Sequence, residues 1–354
     1  MSTLHQSTGQ PTLVLGAEDL GGTKSLRATY TYNLVTGEYE KLCQVEVKRQ
    51  NGWDYTDLSI ECEAKMSTPF SKADILVHSV AGLPKGKGKT LEVGLSKFKG
   101  GRARLGKACF DPRLDWGVPQ FVQNDFVSQG WAVNLPNVRK KRQKIICGNN
   151  NWRYNAVMLG PGTGCGVVGL VRTEAKCKKY LPYPSEGGNA PMAIDGVDEK
   201  ETKFFSWLEN EVDEIKKGAP LRIEHVISGR GIERVHKFLH RKELSIAEIE
   251  KALNENDSKA VKTADFWAKI CGRFARSLAL TFLAWGGVFI TGGAVQKQPK
   301  FINRKAFIDA FRRGPTFPHQ KYIDETPVVL LTMREIGLMG ALARAIKEAK
   351  SLSA

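Results

Sequence analysis

An adjacent amide and carboxylate, Asn124 and Asp125, stand in the apolar stretch FVQNDFV at 121–127. A buried carboxylate is costly unless it is paired or has a chemical task. One such task is general base catalysis, because a hydroxyl group has a pKa far above neutral and needs a base at hydrogen-bond distance. Asp125 is therefore the first candidate for chemistry in this chain.

Two glycine-rich turns have the composition of phosphate-binding loops. The first is EDLGGTK at 18–24 and the second is LGPGTGCG at 159–166. Glycine accepts a positive φ and leaves backbone N–H groups unshielded, so such turns can approach phosphate oxygens closely. Asp19 is a candidate to hold a hydrated Mg²⁺, which prefers a carboxylate together with water and substrate phosphates. The residues expected near phosphates are Gly21, Gly22, Thr23, Gly162, Thr163 and Gly164.

The elements that must position these residues follow a pattern that occurs twice. Residues 12–34 are typical of a β-hairpin with a glycine turn, and residues 152–173 again have the pattern strand, glycine turn, strand. A Gly-Gly turn alone is usually only a turn, but two such hairpins, each followed by helices and strands, predict two related α/β domains. The further elements expected include a helix at 55–67, a strand, turn and helix at 224–239, a long helix at 258–284 and a closing helix at 336–352. The predicted domains are residues 1–127 with the closing helix (about 335–354), and residues 128–334.

Composition is that of an ordinary globular protein. The chain has 354 residues, of which 42% are hydrophobic and 25% charged, and its length favours two domains. No run approaches the roughly 18–20 apolar residues that span a bilayer, and the N-terminus lacks the architecture of a signal peptide. We therefore expect no membrane partner and a cytoplasmic location, with import into an organelle such as a glycosome left open.

The net charge of +16 raises the hypothesis of nucleic-acid binding. Most of the excess lies in two short segments, 85–107 and 139–144, which are typical of surface insertions. Binding of nucleic acid would need aromatic stacking platforms or a reading helix beside these basic segments, which contain a single aromatic residue, Phe98. We expect no nucleic-acid partner, and we interpret the two segments as solvated loops.

Zinc-type chelating sites and disulfides are not indicated. His236 and His240 are four residues apart, but no third ligand is near, and we interpret them as solvated residues on a basic helix. The seven cysteines show no CxxC spacing, which favours reduced thiols and no zinc site.

Taken in order, the motifs resemble those of bacterial-type glucokinases, the zinc-free group of the actin-like ATPase and sugar kinase superfamily that includes protist relatives. The resemblance extends from about residue 13 to 346 and depends on EDLGGTK, FVQNDF, LGPGTGCG, SEGGN, EHVISGRGI, GGVFITGGAV and IGLMGALARA. It implies two ribonuclease-H-like domains with a cleft between them. It also implies transfer of the γ-phosphate of ATP to the 6-hydroxyl of glucose with Mg²⁺, in a homodimer.

The resemblance also implies roles for individual residues. Asp125 would be the base for the 6-hydroxyl and Asn124 would bind the sugar. The sugar's other hydroxyls would be bound by Glu186, Asn189 and Glu224. The backbone at Gly229, Gly292 and Gly293 would lie against the ribose and the adenine.

One residue departs from the family pattern. Asn189 stands where the bacterial motif usually has histidine, which leaves specificity for other hexoses open. A non-catalytic sugar or nucleotide sensor is a further alternative, but Asp19, Asp125, Glu186 and Glu224 are all present, which favours an active enzyme.

Overall fold

The computed structural model describes most of the chain. The described residues are 11–21, 24–82, 84–85, 91–94, 102–105, 117–140, 142–146, 153–172, 179–192, 198–302, 304–313 and 319–353. Gly22 and Thr23 of the first predicted phosphate turn lie outside them, as does much of the basic segment 85–107. The strands are β1 Thr12–Leu20, β2 Lys24–Asn33, β3 Tyr39–Lys48, β4 Ile75–Val80, β5 Pro84–Lys85, β6 Leu91–Gly94, β7 Arg102–Leu105, β8 Gln120–Asn124, β9 Arg142–Ile146, β10 Ala156–Pro161, β11 Cys165–Val171, β12 Leu181–Ser185, β13 Gly287–Ile290 and β14 Val328–Leu331.

The helices alternate with these strands, as the sequence pattern predicts for an α/β fold. They are α1 Tyr55–Lys65, α2 Asp125–Ala132, α3 Pro136–Lys140, α4 Glu199–Glu209, α5 Asp213–Lys216, α6 Gly229–His240, α7 Ile246–Asn254, α8 Ser258–Thr281, α9 Gly293–Lys297, α10 Lys305–Arg312, α11 His319–Glu325 and α12 Ile336–Leu352. None of the helices in the described ranges is both long enough and apolar enough to cross a membrane.

The first compact unit comprises Met1–Arg139 and Glu335–Ala354. Its main sheet has the strand order β3-β2-β1-β4-β8. The first three strands are antiparallel neighbours, whereas β4 pairs in parallel with β1 and β8 pairs in parallel with β4. Parallel strands present their carboxyl ends at one edge of a sheet, which is where ligands bind in open α/β folds. The closing helix α12 packs on α2, β1 and β4 within this unit.

The second unit, Lys140–Arg334, repeats this topology. Its sheet has the order β12-β11-β10-β13-β14-β9, in which the first five strands match the order and directions of the first sheet and β9 adds an antiparallel edge. The two predicted hairpins with glycine turns are confirmed. The long helix α8 crosses the core of the unit, where Trp267 and Cys271 are fully buried.

Three expectations from the sequence were wrong. The basic segments 85–107 and 139–144 are not simply loops, because the first contains the paired strands β6 and β7 and the second contains the start of β9, which pairs with β14 at the edge of the second sheet. The segment expected as a strand before α6 is a short 3-10 turn, Ile223–His225, because the His225 ring accepts a hydrogen bond from the Arg222 backbone N–H (3.1 Å) and Ser228 then caps α6. His236 is not solvated. It is only 2% exposed, and its Nδ1 lies 2.9 Å from the Thr263 hydroxyl on α8.

Candidate functional site

The predicted base lies at the carboxyl edge of the first sheet. Asp19 near the end of β1 is in register with Ser79 on β4, which is in register with Gln123 on β8. Strands are spaced by about 4.8 Å, so the backbones at Asp19 and Gln123 are roughly 10 Å apart. Asp125 follows two residues later as the first residue of α2. The sheet therefore brings two predicted site residues, Asp19 and Asp125, to the same edge.

Asn124 has a structural task in this junction. Its Oδ1 accepts hydrogen bonds from the backbone N–H groups of Phe126 (2.9 Å) and Val127 (3.2 Å), and its Nδ2 donates to the Gly82 carbonyl (3.1 Å). Asn124, and not Asp125, is thus the N-cap of α2. Since an amide carries two N–H donors, one of them remains beyond the contact with Gly82, and sugar binding by Asn124 stays a prediction.

Asp19 and Asp125 are electrostatically coupled. Burial, and then the negative charge of Asp125, raises the pKa of Asp19 to about 7, although Lys24 acts in the opposite direction. Two nearby carboxylates repel each other, and this repulsion is relieved when one of them is protonated or when a cation binds between them. The arrangement fits Mg²⁺, which is usually held by one or two carboxylates plus substrate phosphates and water. Within the described ranges no cluster of three or more metal-ligating side chains occurs.

The second glycine turn is closed by its own backbone. It connects β10 to β11, and the Gly162 N–H donates to the Gly164 carbonyl (2.8 Å). The Gly229 N–H, at the start of α6, donates to the Gly162 carbonyl (2.9 Å). A Cβ placed on Gly162 would lie 3.9 Å from the Gly293 N–H nitrogen. Three glycine segments that are far apart in the sequence therefore meet here.

Gly292 is required by its geometry. It precedes α9 with a φ of +99°, and a Cβ at this position would lie 2.4 Å from the Pro161 carbonyl oxygen. Only glycine adopts such a conformation without strain and fits this space. The strand β13 can thus turn into α9 directly beside the β10–β11 turn.

A cavity of about 390 Å³ opens where these glycines meet. This volume is within the range of small-molecule sites. Burial raises the pKa of the Glu250 carboxyl in its wall, and the nearby Lys297 opposes that shift. The lining comprises the predicted residues Gly162, Thr163, Gly229 and Gly293, and also Arg230, Glu233, Ile246, Glu250, Ala294 and Lys297.

Sequence reasoning missed the charged lining of this cavity. Arg230, Glu233, Glu250 and Lys297 lie on three helices, and helical surface charges of this kind are common everywhere in a chain. The only local signal is Arg230, which sits between two glycines of the SGRG motif.

The predicted sugar loop packs on the strand that leaves the second glycine turn. Residues Gly187–Asn189 form a 3-10 turn, and a Cβ on Gly188 would lie 1.8 Å from the Cys165 carbonyl oxygen. Asn189 Nδ2 donates to Glu186 Oε2 (2.8 Å), which fixes two predicted sugar ligands relative to each other. Both side chains are exposed.

Glu224 connects the sugar loop to the glycine turn. A Cβ on Gly164 would lie 2.8 Å from Glu224 Oε2, and Glu224 Oε1 lies 3.2 Å from the Arg222 guanidinium. The Ile223 N–H donates to the Ala190 carbonyl (3.0 Å), which joins the segment of Glu224 to that of Asn189. The second unit therefore brings together all its predicted sugar and nucleotide residues along one edge of its sheet.

Comparison with known proteins places this arrangement in a family. The family model for glucokinase matches residues 117–348. The chain is 32% identical over 232 residues to a glucokinase of Chelativorans sp. (strain BNC1), which covers 63% of this chain and 64% of that protein. It is 31% identical over 231 residues to the "Bifunctional protein glk" of Burkholderia orbicola (strain AU 1054), covering 63% of this chain and 34% of that protein. The match therefore spans less than two thirds of the length of either relative.

Solved structures show the same fold over nearly the whole chain. A glucokinase from an Antarctic psychrotroph superposes with a TM-score of 0.74 at 23% identity, covering 94% of this chain and 99% of that one. A glucokinase from Balamuthia mandrillaris, solved with glucose, gives a TM-score of 0.73 at 17% identity and covers 97% and 95%. These likenesses confirm the predicted two-domain α/β fold class. Because the family model covers more than half of the sequence and includes the Asn124-Asp125 motif, the chain belongs to the glucokinase family.

Proposed function

We propose that the protein transfers the γ-phosphate of ATP to the 6-hydroxyl of glucose. The observation that carries this proposal is the cavity at Gly162, Gly229 and Gly293, which has the size and the exposed backbone expected of a nucleotide site. Its relation to the sugar loop through Glu224 and Gly164 supports a sugar as the second substrate. Family membership points to the same reaction.

Asp125 is assigned the role of general base. It accepts the proton of the 6-hydroxyl as the oxygen attacks the γ-phosphorus, and ADP departs with the electrons of the broken P–O bond. In phosphoryl transfer most of the rate enhancement comes from positioning and charge neutralisation, so the proton is taken late. The N-cap at Asn124 fixes the first turn of α2 and thereby the direction of the Asp125 backbone.

The remaining residues orient the substrates. Glu186 and Glu224 accept hydrogen bonds from ring hydroxyls, and a carboxylate that would be left unpaired rejects a deoxygenated analogue. The backbone of the second glycine turn, with the Thr163 hydroxyl, contacts the phosphates. Asp19 would hold Mg²⁺, which neutralises charge on the triphosphate when it is bound.

A kinase for another hexose is the second candidate. Asn189 replaces the histidine of the bacterial motif, and its amide donates to Glu186. The loop therefore offers the sugar a different set of hydrogen-bond donors from the one that a histidine at this position would offer. A panel of glucose, mannose, fructose, galactose and N-acetylglucosamine distinguishes the two candidates. The highest kcat/KM for glucose would favour the first candidate, and the highest kcat/KM for another hexose would favour the second.

The test of the base assignment is Asp125→Asn, assayed for ADP production with ATP, Mg²⁺ and glucose. We expect kcat to fall by about 10²–10⁴-fold, the usual contribution of a general base. The dissociation constant for glucose, measured by calorimetry, should change little because the amide keeps the shape of the carboxylate. The matched control is Asp213→Asn on the exposed start of α5, which should leave kcat unchanged. An Asp125→Asn variant with the kcat of the unmodified protein would refute the assignment.

A further inference from the structure

A row of three polar side chains, two of them buried, runs across the carboxyl edge of the first sheet. Asp19, Ser79 and Gln123 occupy the same register position on the parallel strands β1, β4 and β8. Residues in register on neighbouring strands point to the same face of the sheet. The Ser79 hydroxyl and Gln123 Oε1 are buried without a hydrogen-bond partner among the residues that the structure describes. Polar groups are rarely buried in this way without a reason.

Ser128 connects this row to two helices. It lies on α2, three residues after Asp125, and is fully buried. Its hydroxyl accepts a hydrogen bond from Gln123 Nε2 (2.9 Å) and donates one to the Gly337 carbonyl in the first turn of α12 (2.9 Å). A single side chain thus joins the end of β8, the helix that carries Asp125, and the closing helix.

The first turn of α12 in turn holds Asp19. A Cβ on Gly337 would lie 2.3 Å from Asp19 Oδ2 and 3.1 Å from Oδ1, so the carboxylate rests directly on the helix backbone. A Cβ on Gly340 would lie 1.7 Å from the Ser128 carbonyl oxygen, so α12 and α2 are also in backbone contact. The N-terminal end of a helix carries a partial positive charge, which favours a carboxylate at this place.

From these contacts we infer that Ser128 is a positioning residue for phosphoryl transfer. Its hydroxyl fixes the first turn of α12 against α2, and that turn fixes the Asp19 carboxylate relative to Asp125. The inference rests on the proposed function, because it assigns Asp19 and Asp125 to one reaction. A purely structural hydrogen bond is the competing explanation, and it predicts a loss of stability without a selective loss of rate.

The test compares Ser128→Ala with Thr29→Val. Thr29 is also fully buried in the first unit and donates a 2.9 Å hydrogen bond to a backbone carbonyl, that of Thr68, but it lies away from Asp19 and Asp125. Both variants should lower the melting temperature by similar amounts. Only Ser128→Ala should lower kcat, by about tenfold, because misplacement of a reacting group by even 1 Å can cost up to 10²-fold in rate. The KM values for glucose and ATP should stay within about twofold of those of the unmodified protein.

Gly337→Ala tests the position of Asp19 by a different substitution. The added methyl group displaces Asp19 directly, and alanine is otherwise favourable in a helix. We expect a loss of kcat similar to that of Ser128→Ala. The double variant should lose little more than either single variant, because both act through the position of Asp19.

The outcomes separate the inference from the function on which it rests. If the unmodified protein turns over a hexose but Ser128→Ala keeps the kcat of Thr29→Val, the inference is overturned and the proposed function stands. Fully multiplicative losses in the double variant would also overturn it. If the unmodified protein turns over no hexose, the proposed function fails, and the inference fails with it.

Discussion

At the scale of single residues, Asp19 faces opposite demands from stability and from its proposed role in catalysis. Burial and the charge of Asp125 raise the pKa of Asp19 to about 7, so folding favours its protonated form. A carboxylate that is to hold a cation must instead be ionised. Groups with such perturbed pKa values are concentrated at functional sites, where stability is exchanged for activity.

This conflict predicts how stability depends on pH. In buffer without divalent metal, the folded state of the unmodified protein binds a proton at Asp19 that the unfolded state releases near pH 4. The contribution of Asp19 to the free energy of unfolding therefore decreases as pH rises from about 4 to 7. Asp19→Asn removes this penalty. The change that it causes in the free energy of unfolding should therefore be more favourable at pH 8 than at pH 4.5, by on the order of 2–4 kcal/mol. Urea unfolding at both pH values, with Asp213→Asn as the control, measures the difference. An effect of Asp19→Asn that is equal at both pH values would contradict the account.

At the scale of elements, the turn between β13 and α9 is the backbone feature most closely tied to the proposed nucleotide site. Gly292 has a positive φ and lies against the Pro161 carbonyl, while the next residue, Gly293, lines the cavity. A side chain at position 292 would have to push the turn away from the β10–β11 loop. The cavity proposed to bind the nucleotide would then change shape.

Gly292→Ala should therefore raise the KM for ATP by about tenfold or more and leave the dissociation constant for glucose nearly unchanged. The backbone strain itself costs about 1–3 kcal/mol of stability. Gly218→Ala is the matched control, because Gly218 has a similar φ of +92° but open space around its Cβ position. The control should show a similar cost of backbone strain, without the clash at Pro161 and without a change in the KM for ATP. An equal effect on that KM in both variants would show that general strain, and not the cavity, is responsible.

Elements with a clear local pattern could be predicted from the sequence. The two hairpins, α8 and α12 all have hydrophobic spacings that local physics decides, and the structure has them close to the expected bounds. The strand expected near residue 224 failed because Val226 and Ile227 are buried by packing in the core of the second unit and not by strand pairing. Short apolar runs do not distinguish these two forms of burial.

The candidate site could be predicted only where a motif is continuous in the sequence. Asp125 and the glycine turns were predicted in this way, whereas the contact between Ser128 and Gly337 was not, because its hydrogen bond joins residues 209 positions apart. The buried cluster of Glu18, Arg27 and His78 in the first sheet was not predicted either, because it joins side chains from three different strands. Burial acts to raise the pKa of Glu18, but the Arg27 guanidinium (2.8 Å) and His78 (2.6 Å) hold it well below its usual range.

At the scale of the whole molecule, the two units share the same order of five strands, and each supplies a different part of the proposed machinery. The first unit contributes Asp19 and Asp125, and the second contributes the nucleotide cavity and the sugar loop. The repeated topology predicted from the two glycine hairpins is confirmed by the order of the two sheets. Homodimerisation stays a prediction, which sedimentation equilibrium of the purified protein tests.

The central claim is tested most directly by identifying the product of the unmodified protein. The protein is incubated with ATP, Mg²⁺ and glucose, and the phosphorylated product is assigned by ³¹P and ¹H NMR. The account predicts glucose 6-phosphate and ADP in equal amounts, and no phosphorylated product from 6-deoxyglucose. Phosphate on another hydroxyl, or hydrolysis of ATP without a sugar phosphate, would contradict it.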